Sequence, residues 1–167
     1  MSARHYENSR WIASSPRDVF AFIDDHARFS SHMSESSWMM GGSRMEVELD
    51  DAKGQRVGSH IRLSGNVFGI QLFVDEVVAR REPPLVKVWQ TVGTPSLLVI
   101  GAYTMDVHIT PDGGGSELLV FIDYDFPDRW PMSWLGRLFG GIYARWCVTQ
   151  MVSGVSRHFH IGAVAAA

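Results

Sequence analysis

Two tyrosines stand in alternating apolar runs, Tyr103 ahead of Met105, Val107 and Ile109, and Tyr124 after Leu118, Val120 and Ile122. In a strand every second side chain shares a face. The polar set Thr104, Asp106, His108 and Thr110 therefore takes one side of the first run and turns Tyr103 and Met105 inward. Glu117, Asp123 and Asp125 do the same for the second, turning Ile122 and Tyr124 inward with Phe126 beyond them. A phenol so placed is either an edge-of-core residue whose hydroxyl reaches solvent or a polar anchor in an apolar pocket. In its sharpest form it is a general acid toward a carbonyl. Between Val86 and Gln90 the charge of Lys87 marks the outer face, which puts Val86, Val88 and Gln90 inside, Gln90 as a further polar anchor, and Trp89 outside. The phase of residues 70–80 is ambiguous and is left unassigned.

Other chemistries find little support. No Gly-x-Ser-x-Gly elbow occurs. Cys147 and His158, on one helix, stand about 16 Å apart along its axis, too far to pair as nucleophile and base. His158 and His160 fall on opposite sides of a helix, and His26 and His32 lack a nearby third ligand, so the 7 histidines predict no metal site. Gly113-Gly114-Gly115 precedes a strand rather than a helix and reads as a hairpin turn, not a phosphate loop. Asp123 and Asp125 lie at strand spacing on an outer face, which is a solvated face rather than a carboxylate pair. No cofactor is indicated.

The elements that must position these residues follow in a clear order. Residues 5–13 form a first strand. Ser15-Pro16-Arg17-Asp18 starts a short helix, with Ser15 as N-cap, Pro16 at the first position and Asp18 at capping-box spacing. A second short helical piece covers residues 27–33. A turn-rich stretch, 34–43, follows, carrying Met33, Trp38, Met39 and Met40 at or near it. Soft, large side chains between flexible ends suit a pliable mouth over an apolar ligand, or plain packing onto the core. Strands are then expected at 45–49, from Val57 to Leu63, at 68–80 after a Gly65-Asn66 turn, at 85–92, at 97–110 after a Gly93-Thr94-Pro95 turn, and at 117–126. Short turns between successive strands imply an antiparallel meander. From Met132 to about His160 the pattern is helical, with Leu135, Leu138, Phe139, Ile142 and Trp146 on one stripe, continued with some drift by Met151, Val152, Val155 and Phe159. That helix is about 43 Å long and the longest strand about 46 Å, so one can lie across the other. Gly136, Gly140, Gly141 and Gly154 each cost about 1 kcal/mol in a helix; a close approach, a bend, or slack over a cavity would explain them.

Composition bounds the rest. At 167 residues and 46% hydrophobic, the chain is long enough for one domain with a real core. One cysteine excludes an intramolecular disulfide. With 15 basic against 18 acidic residues and no basic block, the charge of −3 argues against nucleic acid. The first residues carry no apolar signal core, so a cytoplasmic location is expected. Trp130, Trp134, Phe139 and Trp146 with Arg137 and Arg145 permit peripheral membrane contact, against which stands the simpler role of helix-on-sheet core.

This order resembles the START/Bet v 1-like (SRPBCC) superfamily, and within it the bacterial polyketide cyclase/dehydrase branch. The residues that carry the resemblance are IASSPRDVFAFIDD (12–25), VGSHIRLSG (57–65), RREPPLVKVW (80–89), GGGSELLVFIDYDF (113–126) and WLGRLFGGIYARW (134–146). It covers nearly the whole chain. It implies an α+β helix-grip fold, a curved antiparallel sheet wrapped around a long C-terminal helix, as a single domain over 1–167. It also implies a cavity between sheet and helix, whose expected lining is Tyr103, Met105, Ile122, Tyr124, Gln90, Trp38, Met39, Leu138, Ile142 and Trp146. The superfamily holds carriers and enzymes alike. The resemblance thus leaves open a binder of a small hydrophobic molecule, a cyclase, aromatase or dehydratase using Tyr103 or Tyr124 as acid, and a lipid or quinone chaperone or protein-interaction module.

Overall fold

Local signals close the turns that bring the strands together. The computed structural model describes residues 4–29, 31, 45–67, 69–128, 130 and 132–165. After β1 (Arg4–Ile12), Ser15 caps α1 (Pro16–Asp24): its Oγ accepts from the Asp18 N–H at 3.2 Å and its hydroxyl donates to the Asp18 carboxylate at 2.7 Å. That satisfies one of the helix's free backbone donors. α1 buries Val19, Phe20 and Ile23, and α2 (His26–Phe29) follows at once. Six strands then run as a meander: β2 (Met45–Leu49), β3 (His60–Val67), β4 (Ile70–Glu82), β5 (Val86–Ser96), β6 (Tyr103–Asp112) and β7 (Gly115–Tyr124). Gly113 and Gly114, with φ of 54° and 90°, make the two-residue β6–β7 hairpin loop, a turn that needs positive φ at both positions. β1 closes on β7, giving the antiparallel order β1-β7-β6-β5-β4-β3-β2. The chain ends in α3 (Met132–Ala165), which packs against β1, β7 and both short helices. This is the expected helix-grip architecture.

Two expected turns lie inside strands. Gly65 and Asn66 pair with Leu72 and Gln71 in the β3–β4 ladder. The reversal comes later, where Gly69 takes φ +80° and the Asn66 Oδ1 accepts from its N–H at 2.9 Å. Gly93-Thr94-Pro95 belongs to β5. There the β5–β6 ladder has ended, its last pair being Gln90 with Thr104, while Ser96 still pairs with Phe73 of β4. Proline is tolerated where one side of a strand has no ladder to complete. The irregular segment 97–102 follows, and β6 starts at Tyr103 rather than Leu97.

The buried face of α3 also differs from the expected stripe. Leu138 is 50% exposed, Ile142 53% and Trp134 59%, and Phe139 is exposed as well. Met151, Val152 and Val155, the expected continuation of that stripe, are buried, but ahead of them the buried face carries Gly136, Gly140, Ala144, Cys147 and Val148. A Cβ at Gly140 would stand 2.8 Å from the Val99 carbonyl oxygen and one at Gly136 2.7 Å from Pro127. Gly136 and Gly140 therefore stand where the segment 97–102 and the residues just after β7 come too close for a side chain. Among the described residues, no helix is long and apolar enough to cross a membrane.

The interior divides into two apolar clusters, a larger one over β5–β7, β1 and α3 and a smaller one over β2–β4. Leu97, Tyr103, Tyr143 and Trp146 pack against both. The candidate site lies at this seam.

Candidate functional site

β4 alternates Leu72, Val74, Glu76 and Val78 toward the interior, so the register of an apolar strand carries a carboxylate into the core. Glu76 is 3% exposed. Isolating an ionised carboxylate from water costs several kcal/mol unless partners compensate. The partners come from three elements. The Tyr103 hydroxyl, at the start of β6, donates to Glu76 Oε1. The Trp89 indole N–H, on β5, also hydrogen-bonds the Glu76 carboxyl. His26, at the start of α2, brings its Nε2 to 3.8 Å from Oε2.

Each partner is itself held. Thr91 Oγ accepts from the Tyr103 N–H at 3.1 Å, fixing the strand that carries the phenol. The Trp89 ring stands edge-on to His26 and to Phe29, with centroids 5.3 and 6.0 Å away. His26 is placed by a buried ion cluster at the end of α1. Arg81 donates to both Asp24 carboxylate oxygens, at 3.1 and 2.7 Å, and Lys87 Nζ lies 3.1 Å from Asp24 Oδ1. Burial pushes the Asp24 carboxyl up, but the Arg81 hydrogen bonds and the Lys87 charge outweigh it and hold it below its usual value. Burial likewise pulls the Lys87 ammonium down, against Asp24.

The electrostatics of the seam favour neutral forms. Burial raises the Glu76 carboxyl to about 7, against the pull of the Tyr103 and Trp89 donors. Burial and the neighbouring carboxylate raise the Tyr103 phenol well above its ordinary value, and burial does the same to Tyr143. Burial pushes the Cys147 thiol up to about 12, so it is no nucleophile at neutral pH. A proton on Glu76 can change state near neutrality. The tyrosines remain donors.

Glu76, Tyr103, Trp89 and His26 border a cavity of about 30 Å³, room for one or two waters. A second cavity of about 70 Å³ adjoins it, with Leu97, Ile100 and Tyr143 in both walls. An open cleft of about 550 Å³ lies beyond, along Gly93 to Leu98, Phe126 and Met132, sharing Leu72, Leu97 and Leu98 with the second. Leu97 lines all three.

Of the residues expected to line a chamber, Tyr103, Met105 and Ile122 meet at the 30 Å³ cavity. Trp146 packs at the seam. Tyr124 is buried in the larger cluster, its ring 6.2 Å from Phe126, and does not reach the cavity wall. Gln90, Leu138 and Ile142 are exposed and are not brought to the site. The start of β5 is buried on both faces: Val86 and Val88 are buried as expected, but so are Lys87, at 0% exposure, and Trp89, at 1%, because Asp24 compensates the lysine's charge inside the fold. Trp38 and Met39 lie outside the described residues. Sequence reasoning missed Glu76, Trp89 and His26. The one available signal for Glu76 was the even-numbered row Leu72, Val74 and Val78, which Val77 and Phe73 obscure. Among the described residues, no three His, Cys, Asp or Glu side chains gather as a metal site.

Residues 3–153 match the family model described as polyketide cyclase/dehydrase and lipid transport. No curated protein matches the sequence. Solved structures share the fold at low identity. The ZhuI aromatase/cyclase of Streptomyces sp. R1128 aligns with a TM-score of 0.71 and 12% identity over 95% of this chain and 94% of its own. TTHA0849 of Thermus thermophilus gives 0.68 and 13% over 95% and 99%. Truncated norcoclaurine synthase of Thalictrum flavum gives 0.62 and 14% over 94% of each chain.

Proposed function

The chain belongs to the polyketide cyclase/dehydrase and lipid transport family, and from that premise we propose that it binds a small, flat, hydrophobic molecule between sheet and helix. The molecule enters by the open cleft beside residues 93–102. The observation that carries this reading is Leu97, which lines the open cleft, the intermediate cavity and the Glu76 cavity in turn. Segment 97–102 lies between β5 and β6 and outside the ladders, so the Leu97 side chain can move without breaking strand pairing. With it displaced, the spaces join into a volume typical of small-molecule sites, about 300–1,000 Å³, with Thr94, Ser96, Asp125 and Asp128 at its mouth, an apolar passage behind them and Glu76 at its inner end.

The test is titration with the neutral fluorophore N-phenyl-1-naphthylamine. The wild type takes up the probe saturably, one per chain. Leu97→Trp, which fills the passage, weakens uptake at least about tenfold with thermal stability little changed, because the residue is only partly buried. No saturable uptake, or uptake indifferent to Leu97→Trp, overturns the reading.

A further inference from the structure

A site that only held an apolar ligand would have no use for a carboxylate at its inner end, since an amide fills the same space without the cost of a buried acid. Neither of the nearby permanent cations is paired to Glu76, whose closest ionisable nitrogen is His26 Nε2 at 3.8 Å. Lys87 and Arg81 are committed to Asp24, which they contact at 3.1 and 2.7 Å. The groups that hold Glu76 are donors, the Tyr103 hydroxyl and the Trp89 indole. One base and two donors converging in an apolar chamber complement a ligand that offers an acceptor oxygen and an acidic proton. An enolisable ketone has both, on adjacent carbons.

We propose that Glu76 is a catalytic base that removes a proton from the carbon next to the carbonyl of a flat, apolar ketone, with Tyr103 donating to the carbonyl oxygen. This rests on the ligand reaching the seam as proposed above. In the step, the C–H bond breaks and its proton passes to the Glu76 carboxylate. The C–H electron pair becomes the enolate double bond, and the carbonyl π pair moves to oxygen. The Tyr103 hydroxyl turns from Glu76 to that oxyanion as its charge grows, and the Trp89 N–H keeps the carboxyl oriented. Return of the proton from Glu76 to the same or a conjugated carbon completes an exchange or a double-bond shift. Atoms and electrons balance with no further reactant. Tyr103, its phenol raised well above its ordinary value, acts as donor and not as base.

The groups facing Glu76 are His26 from α2, Lys87 and Trp89 from β5, Tyr103 from β6, and Tyr143 and Cys147 from α3, while the charge of Asp75 acts on it from the opposite face of β4. The base must be ionised, so the rate rises with pH and levels off above about 7.

The experiment follows deuterium incorporation into 2-tetralone in D2O by proton NMR, with binding measured separately as displacement of N-phenyl-1-naphthylamine. The wild type accelerates exchange at least about 10³-fold over buffer. Glu76→Gln returns it to the buffer rate, and Tyr103→Phe lowers it by about 10²; both still bind 2-tetralone within about threefold of wild type. Glu76→Asp, with the base one methylene further back, retains partial exchange, so loss of rate through misfolding of one variant is recognised. Bound 2-tetralone that exchanges no faster than in buffer overturns the catalytic assignment and leaves the binding reading intact. Probe uptake without displacement by 2-tetralone overturns the ketone as substrate class. No probe uptake overturns both. Loss of the pH inflection in His26→Gln would assign it to the imidazole and overturn Glu76 as base.

Discussion

Replacing Glu76 with glutamine isolates the energetic consequence of its burial. The sign follows from the proton. With its carboxyl raised from 4.5 to about 7 in the folded state, the native protein holds that proton more tightly than the unfolded chain does. The contribution of Glu76 is therefore fully present below about pH 4.5 and is lost as pH rises through about 7. At about 1.4 kcal/mol per tenfold change, the loss amounts to about 3 kcal/mol, complete by about pH 8. For a chain of 167 residues this corresponds to a fall in Tm of about 6–12 °C. The Glu76→Gln variant has the shape of the protonated acid but cannot ionise. It should match wild type within about 1 kcal/mol near pH 4.5 and exceed it by about 3 kcal/mol at pH 8.5. Thermal or urea unfolding followed by far-ultraviolet circular dichroism, from pH 4.5 to 8.5 on both proteins, measures the difference curve. Asp24, Lys87 and the surface groups titrate in both proteins and cancel. Parallel curves for the two proteins would mean that folding leaves the Glu76 proton no more tightly held than in the unfolded chain.

Lys87→Met leaves Asp24 and the α1–α2 joint without one of their two cations, and breaking a buried pair in this way costs about 3–5 kcal/mol; urea unfolding at pH 7 checks it, and a loss below about 1 kcal/mol would mean that Arg81 alone suffices. The buried face of α3 predicts a contrast: Val148→Ala, at 0% exposure, costs about 2 kcal/mol, while Leu138→Ala costs under about 1 kcal/mol. Equal losses in urea unfolding would contradict the observed helix orientation.

Much of the architecture was legible because its causes are local. The Ser15 cap, the Gly113-Gly114 hairpin and the period-two rows of β6 and β7 depend on residues within a few positions of one another. Those rows also placed Tyr103, Met105 and Ile122 at the cavity. The errors arose where a distant partner overrides a local pattern. Lys87 has the charge of a surface residue, but Asp24, 63 positions away, compensates it inside. Gly93-Thr94-Pro95 has the composition of a turn, but an edge with no ladder on one side lets it remain strand. Along α3, apolar residues occur nearly all the way round, so periodicity could not say which face meets the sheet. Close approach to Val99 and Phe126 chose the glycine and alanine face.

The same division runs through the site. The order of strands, hairpins and helices follows from the amino-acid order, because backbone conformation responds to neighbours a few residues away. The acid at the centre is a different matter. Glu76 lies on an ordinary strand, Trp89 on the next, Tyr103 on a third, and His26 on a helix far earlier in the chain. No short-range pattern joins them, and a lone glutamate between valines resembles any solvated position. The carboxylate became a buried, proton-holding group only when the sheet curved around α3 and removed the water, a change in environment that no single segment encodes.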